Sequence, residues 1–306
     1  MRNATHGVVN LQTYSRPHLL ERCLKSIYSM INIEDYRKLF VLQLGDRRVE
    51  NLVHKSKDAG TEIVEVDGGA RTPLGNMNFN RWLALERAFD EYDCDWVLSI
   101  EEDVEVAPGT LLFIEEIYAR FKDTPKFRGI NLGSILSLEE LVNSYSLQRF
   151  GVHGCGSVIT RNTWKKIKKH QIDRTLKDFA LDGAIEGIAK SGFMVTPNVT
   201  LYLDHGWDSG THNKSNYNDL HFVLNRESWQ TRINSTPAKF KEIPISIPWR
   251  EDCVLYDKKD NFKYSLLAIK SRMYHTLPYQ RLLKAKRHFK VLIGKLRIYL
   301  DNGNAE

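Results

Sequence analysis

The feature of this sequence that most limits its fold is the alternation of short apolar runs with stretches of helical periodicity. The apolar run Val8–Thr13 is followed by apolar residues at helical spacing from Leu19 to Met30, and the runs Leu39–Leu44 and Glu62–Val66 flank a second helical stretch. Strands and helices that alternate at this spacing predict βαβ units. We therefore expect an α/β fold with a mainly parallel sheet.

The pattern continues beyond these units and then becomes less regular. A helix is predicted at about 78–92 and a strand at Trp96–Ile100. Further helices are predicted near 109–121, 161–170 and 176–190, and late strands at 194–196 and 199–202. No apolar run approaches the roughly 18 residues that a membrane-spanning helix needs. We expect neither such a helix nor a signal peptide, since no apolar segment precedes the first strand.

Positive charge is concentrated near the end of the sequence. The net charge is +6, and the segment from Lys263 to Leu300 contains ten Lys or Arg residues and no Asp or Glu. The apolar residues of 280–300 recur every three or four positions, which predicts a basic amphipathic helix. Such helices bind anionic membrane surfaces, although packing on the main domain or on a second copy is the alternative. Because the rest of the chain is slightly acidic, a nucleic-acid partner is not expected.

The cysteines indicate a reducing environment. Cys23, Cys94, Cys155 and Cys253 are far apart, and no CxxC pair occurs. This spacing favours neither a zinc site nor a disulfide framework. Together with the basic helix, it leads us to expect a cytoplasmic protein at the inner face of a membrane.

Three consecutive carboxylates follow the predicted strand at Trp96–Ile100. They are Glu101, Glu102 and Asp103. Ligands of α/β sheets bind outside the carboxyl ends of strands. Two like charges ~4 Å apart repel by about 4 kcal/mol near a protein surface, and a divalent cation such as Mg²⁺ or Mn²⁺ would offset this repulsion. The triplet therefore predicts a cation site, with a solvated acidic loop as the alternative.

The wider segment Asp95–Pro108 resembles the DxD-bearing segment of GT-A glycosyltransferases, in particular the N-acetylglucosaminyltransferase I-like family. The likeness joins the strand, the acidic triplet and the Val-Ala-Pro that follows it. It implies a GT-A fold, which is a Rossmann-like sheet with helices on both faces. It also implies that Asp103 holds Mn²⁺ or Mg²⁺, and that Glu101 and Glu102 contact the ribose and sugar of a nucleotide-sugar donor.

Other segments resemble this family in the same order, over about residues 7–206. The likeness places the following donor-binding residues near the nucleotide: Thr13 and Arg16 after the first strand, Asp46 after the second, and Arg81 in the helix before the triplet. The Gly-rich run 151–156, which includes Gly154, resembles the acceptor strand. Separately, the turn at 67–71 predicts backbone amides near phosphate with Arg71 as the counter-charge, although a plain turn is the alternative.

A second carboxylate pair is the candidate for acid-base chemistry. An inverting sugar transfer needs one carboxylate to take the proton of the acceptor hydroxyl. Asp182 opens a predicted helix at the position where the family has its catalytic Asp, and Glu186 shares its helix face. A helix cap or first-turn charge is the alternative for Asp182.

The polar, Gly-containing segment 203–212 is typical of a mobile loop. Either His205 or His212 is a candidate to reach the metal or the diphosphate, and Lys214 is a weaker one. Trp207 is a candidate to stack on a sugar or to cover the core. We expect His205 on the metal side, and Trp207 and His212 on the acceptor side.

These observations predict three segments and one function. Residues 1–226 form the catalytic domain (nucleotide half about 1–106, acceptor half about 107–226), 227–262 a linker or lid, and 263–306 the basic helical tail. The function expected is metal-dependent, inverting transfer of a sugar, with a UDP-sugar favoured, to a glycan or glycolipid hydroxyl, as in polysaccharide synthesis. A nucleotidyltransferase is one alternative, although residues 12–17 lack its glycines. A catalytically silent membrane-surface protein is the other.

Overall fold

A computed structural model of the chain describes residues 7–69, 71–133, 144–148, 156–169, 181, 185, 188, 191–197, 201–206 and 250–254. The strands are β1 (Gly7–Thr13), β2 (Arg37–Gln43), β3 (Thr61–Val66), β4 (Trp96–Glu101), β5 (Val104–Val106), β6 (Phe127–Asn131), β7 (Ser144–Gln148), β8 (Ser157–Thr160), β9 (Phe193–Pro197), β10 (Tyr202–Asp204) and β11 (Arg250–Val254). The α-helices are α1 (Pro17–Tyr28), α2 (Arg47–Ser56), α3 (Pro73–Glu86), α4 (Thr110–Phe121) and α5 (Arg161–Lys169).

Nine strands form one sheet, in the order β11-β7-β9-β6-β8-β4-β1-β2-β3. Strands β1 to β4 are mutually parallel, and β6 and β9 run in the same direction as they do. Strand β8 is antiparallel to both of its neighbours, and β7 is antiparallel to β9. The α/β fold with a mainly parallel, Rossmann-like sheet is therefore confirmed.

The sheet is covered by helices on both faces, as expected. Successive residues of a strand point to opposite faces, so Val9 and Leu11 of β1 join one core cluster while Val8 joins the other. Helices α1, α2 and α4 pack into the first cluster, and α3 and α5 into the second. Three further helical residues (Leu181, Ile185 and Ile188) are also buried in the second cluster.

Two elements differ from the sequence-based expectation. Helix α3 begins at Pro73 rather than near residue 78, because Thr72 caps it by accepting a hydrogen bond from the Gly75 amide at 3.1 Å. Strand β11 lies within 227–262, for which a linker or lid is predicted, and pairs parallel to β7. Its sequence, Arg-Glu-Asp-Cys-Val, has no apolar alternation from which a strand can be predicted.

Within the described part of the chain, Cys23 and Cys94 are free and buried. Among those same residues, no helix combines the length and apolar character needed to cross a bilayer. The predicted basic tail at 263–306 lies outside the described residues.

Candidate functional site

The sheet order defines one place where a ligand crevice is expected. The chain winds from β1 to β2 and β3 on one side and then returns to place β4 on the other side of β1. Ligands of open α/β sheets bind outside the carboxyl ends of the strands at such a switch point. Here the turn Tyr14–Arg16, after β1, meets Glu102 and Asp103, after β4.

Glu102 anchors the turn between β1 and α1. Its carboxylate accepts hydrogen bonds from the backbone amides of Tyr14 and Ser15 and from Arg16 Nε, the last at 2.8 Å. The side chain is buried, so these charge-assisted bonds offset the cost of removing its charge from water. Both oxygens of Glu102 are therefore already bound within the protein. The predicted contact with the ribose or sugar of the donor does not require so many partners from the protein itself.

Asp103 is also buried, but only one of its oxygens is engaged by a side chain. Oδ2 lies 2.7 Å from Arg16 Nη1, and the backbone carbonyl accepts a hydrogen bond from the His205 amide at 2.8 Å. Within the described residues, Oδ1 has no hydrogen-bond partner. Because a buried acceptor without a partner is costly, Oδ1 is the atom at this site that a ligand would satisfy.

The residues that follow β10 lie directly beside Asp103. Strand β10 pairs antiparallel with β5, which directly follows the acidic triplet, and so holds residues 205–206 beside it. Gly206 approaches so closely that a Cβ atom at this position would be 1.8 Å from Asp103 Oδ2 and 2.9 Å from Arg16 Nη1. Burial, followed by the charge of Asp103, raises the pKa of Asp204 to about 7. The charged form of Asp204 is thus disfavoured at this point of the fold.

The side chain of His205 lies against Glu105. Its ring Nε2 is 2.8 Å from Glu105 Oε2, which also lies 3.3 Å from Arg22. This contact with His205 is the main cause that lowers the pKa of Glu105 below its ordinary value. Metal-binding histidines commonly give one ring nitrogen to a carboxylate in this way and bind through the other. The arrangement is compatible with the predicted metal-side role of His205.

Thr13, Glu101 and Asp46 lie at the same edge of the sheet and have local partners. The Thr13 hydroxyl donates to the Val41 carbonyl at 3.3 Å, and Glu101, half-buried, ends β4. Asp46 caps α2 by accepting a hydrogen bond from the Arg48 amide at 2.9 Å. Hydrogen bonding to Arg48 also lowers the pKa of Asp46. The predicted donor contacts of these residues stay predictions.

Arg71 and Arg81, both predicted to bind the donor, belong to the α3 region. The Arg71 guanidinium lies over the Phe79 ring, 3.8 Å from its centroid. Arg81 is buried beneath α3, and its Nη2 donates to Ser157 Oγ at 2.7 Å. The structure therefore places Arg81 inside the sheet–helix layer rather than at an open surface.

Beneath Arg81, polar side chains cross the sheet in one row that sequence reasoning missed. The row is buried and consists of Asn10 (β1), Ser99 (β4), Ser157 (β8), Asn131 (β6) and Thr196 (β9). Ser99 Oγ in the row and Gln12 Oε1 next to it have no partner among the described residues, and ordered water normally satisfies such groups. The sequence signal was the polar residues that interrupt apolar strands, as in Val-Val-Asn-Leu-Gln.

Several predicted residues lie outside the described part of the chain. They are the catalytic candidates Asp182 and Glu186, the acceptor-side candidates Gly154, Trp207 and His212, and Lys214.

The described residues include no group of three or more His, Cys, Asp or Glu side chains arranged to hold a metal ion. A Mg²⁺-type site does not require one, since this cation commonly uses one or two carboxylates and takes its other ligands from water and substrate phosphates. The buried Oδ1 of Asp103, which has no hydrogen-bond partner among the described residues, fits that kind of site.

The comparisons with known proteins leave the family open. No family model and no curated protein matches the chain. Among solved structures, the mannosyltransferase PcManGT from Pyrobaculum calidifontis in complex with GDP-Man and Mn²⁺ aligns with a TM-score of 0.49 and 12% identity, covering 94% of this chain and 81% of that chain. A cytidylyltransferase from Leptospira borgpetersenii aligns with a TM-score of 0.42 and 12% identity, covering 80% of this chain and 100% of that chain.

Likenesses at this level decide nothing about the activity of this chain. These likenesses do not confirm the resemblance to the N-acetylglucosaminyltransferase I-like family, which stays a prediction. What the chain can do has to be argued from the contacts around Arg16, Glu102 and Asp103.

Proposed function

We propose that this protein is a metal-dependent glycosyltransferase that moves a sugar from a nucleotide-sugar, with a UDP-sugar favoured, to a hydroxyl of a glycan or glycolipid. The observation that carries the proposal is the buried Asp103 at the β1–β4 switch point, with one oxygen bound to Arg16 and the other without a hydrogen-bond partner among the described residues. A carboxylate oxygen of this kind beside a guanidinium is suited to a cation and a diphosphate together.

Mn²⁺ or Mg²⁺ bound at Asp103 would stabilise the negative charge that develops on the departing diphosphate. Around that position, Asp103 supplies the open oxygen and Arg16 supplies a fixed positive charge. Glu102 keeps the turn at residues 14–16 in place.

The catalytic base is proposed from the sequence alone. Asp182 directly follows Leu181, which is helical and buried in the cluster that contains α3. We propose that Asp182 takes the proton of the acceptor hydroxyl, with Glu186 as the second candidate, and that the reaction inverts the anomeric carbon. The basic tail would hold the enzyme at an anionic membrane surface.

The nucleotidyltransferase alternative is less well supported by the site. Such an enzyme needs a phosphate loop rich in glycine after the first strand. Here the turn after β1 contains Tyr14, Ser15 and Arg16, and its amides at 14 and 15 donate to Glu102. These two amides are therefore committed to a carboxylate of the protein.

A binding panel tests the proposal directly. Thermal unfolding would be followed with UDP-, GDP-, CMP- and dTDP-sugars, each with and without Mn²⁺, because a ligand that binds the native state raises its stability. We expect one nucleotide class to raise Tm only with Mn²⁺, and the Asp103→Asn variant to lose this effect. Release of the nucleotide from the active donor (UDP, GDP or dTDP, or CMP from a CMP-sugar) then reports turnover.

Asp93→Asn is the matched control. Asp93 is exposed, pairs with Arg161 near the amino-terminal edge of the sheet, and has a positive φ of 53° that Asn adopts readily. It should respond to the nucleotides as the wild type does. If no nucleotide-sugar shifts the wild type, with or without Mn²⁺, the glycosyltransferase proposal fails and the catalytically silent protein becomes the better interpretation.

A further inference from the structure

The acidic site already contains a positive charge, which is the guanidinium of Arg16. Its guanidinium contacts two different carboxylates through two different nitrogens, Nε with Glu102 at 2.8 Å and Nη1 with Asp103 at 2.7 Å. Only 23% of the Arg16 side chain is exposed, and both carboxylates are buried. The charge of Asp103 is therefore partly neutralised without any metal ion.

The backbone around Arg16 fixes this arrangement. Pro17 starts α1 directly after it, and Glu102 holds the amides of the two residues before it. On the other side, a Cβ atom at residue 206 would lie 1.8 Å from Asp103 Oδ2 and 2.9 Å from Arg16 Nη1, so glycine allows the backbone to lie directly beside this pair. A divalent cation that bound Asp103 would meet the guanidinium on Oδ2, and Oδ1 is the carboxylate oxygen that has no hydrogen-bond partner among the described residues.

From this geometry we propose that Arg16 competes with the divalent cation for Asp103, so that the cation binds tightly only when the diphosphate of the donor binds with it. The inference rests on the proposed function. Arginine pairs well with phosphate oxygens, so a diphosphate offers Arg16 a second anionic partner and offers the cation additional ligands. Free metal and free nucleotide would each bind weakly, and the pair would bind strongly.

The test measures Mn²⁺ binding without turnover. Calorimetry, with electron paramagnetic resonance of free Mn²⁺, would be used on the full chain in the absence and presence of UDP. In the wild type, UDP should tighten Mn²⁺ binding about tenfold or more, and Mn²⁺ should tighten UDP binding by the same factor, as linkage requires. In Arg16→Met, Mn²⁺ alone should bind about tenfold tighter than to the wild type, since the competing charge is gone.

Arg87→Met is the matched control. Arg87 forms an ion pair of 2.6 Å with Glu62, near the amino-terminal edge of the sheet. The Arg87→Met substitution removes the same charge from the protein as Arg16→Met does. The Mn²⁺ affinity of this variant and its coupling to UDP should therefore equal those of the wild type. An increase in Mn²⁺ affinity in this control as large as that in Arg16→Met would show a general charge effect and overturn the inference.

Two results separate the inference from the proposed function. If UDP binds the wild type with Mn²⁺ but Arg16→Met binds Mn²⁺ no more tightly than the wild type, the competition is wrong and the glycosyltransferase proposal stands. If no nucleotide-sugar or UDP binds the wild type, the proposed function fails by itself.

Should Arg16→Met not fold, Arg16→Lys replaces it. The single ammonium of this lysine cannot contact both carboxylates as the guanidinium does. We therefore expect Arg16→Lys to bind Mn²⁺ with an affinity between that of the wild type and that expected for Arg16→Met. An affinity equal to that of the wild type would contradict the inference.

Discussion

Gly206 and Asp103 are in such close contact that a Cβ atom on residue 206 would lie 1.8 Å from Asp103 Oδ2. We expect Gly206→Ala to displace the Asp103 carboxylate and weaken its contact with Arg16, at a cost of about 1–3 kcal/mol in the free energy of unfolding. Urea unfolding and the nucleotide panel check this. Gly60→Ala is the control, because its methyl group would meet the end of Lys38 at 3.2 Å and the oxygens of Tyr36 and Asp58 at 3.5 and 3.7 Å, without a contact shorter than 3.0 Å, and it should keep nucleotide binding intact.

Glu102 is predicted to act on stability more than on donor binding. In Glu102→Gln the side-chain amide meets the donors of Tyr14, Ser15 and Arg16 without a negative charge. Breaking a buried ion pair by removing one partner costs about 3–5 kcal/mol. Urea unfolding should show a loss of this order, whereas Glu21→Gln, in an exposed pair with Lys25, should change little. Unchanged stability with lost nucleotide binding would instead favour the direct sugar contact.

The contact between His205 and Glu105 predicts a result for metal affinity. If His205 binds the cation through its other ring nitrogen, Glu105→Gln should weaken Mn²⁺ binding in the presence of UDP by about 10–100-fold. His205→Gln should weaken it at least as much. Calorimetry on both variants and on Glu116→Gln, which has its partner Arg120 on α4, checks this. Wild-type affinity in the two site variants would remove His205 from the metal site.

Removal of the metal should abolish the stabilisation by nucleotide. A ligand at about 100 times its Kd adds about 2.7 kcal/mol to the stability of the native state. We expect the nucleotide that gives this shift with Mn²⁺ to give none after EDTA, and excess Mg²⁺ or Mn²⁺ to restore it. A shift that persists in EDTA would mean that the nucleotide binds without a divalent cation and would contradict the proposed metal dependence.

Asp58 and Lys38 predict a pH dependence away from the site. Burial alone would raise the pKa of Asp58, but hydrogen bonds from Thr61 and from buried Lys38 outweigh it, and the pKa is lowered. The folded state therefore favours the ionised carboxylate. This contribution is complete above the unfolded pKa of about 3.9 and is lost as the pH falls through the lower folded pKa. The stability difference between wild type and Asp58→Asn should be largest near neutral pH and should shrink below about pH 4. Urea midpoints measured across this range test it, and a difference that does not depend on pH would contradict it.

Much of the fold could be predicted because many of its strands and helices are marked by local patterns of apolar residues in the sequence. The strand at 96–101 has a continuous apolar run, and helix α1 has apolar residues at helical spacing after Pro17. Strand β11 could not be predicted, because its pairing with β7 depends on contacts between residues about a hundred positions apart. The start of α3 was missed for a local reason, since the cap at Thr72 precedes any apolar periodicity.

The candidate site was predictable in part. The position of the triplet after an apolar strand predicted that Asp103 lies at the carboxyl edge of the sheet, where it does lie. The different roles of Glu102 and Asp103 within the triplet were not predictable. Glu102 anchors a turn and Asp103 keeps one open oxygen, and both facts depend on where the turn at 14–16 lies relative to β4.

The place of β11 in the sheet order changes where the protein can be shortened. A fragment that ends at residue 226, the predicted end of the catalytic domain, lacks one strand of the nine-stranded sheet. Strand β7 would then present a row of unpaired amides and carbonyls, which is a template for association with other chains. A version made without the basic tail should therefore extend past Val254, and shorter fragments should self-associate.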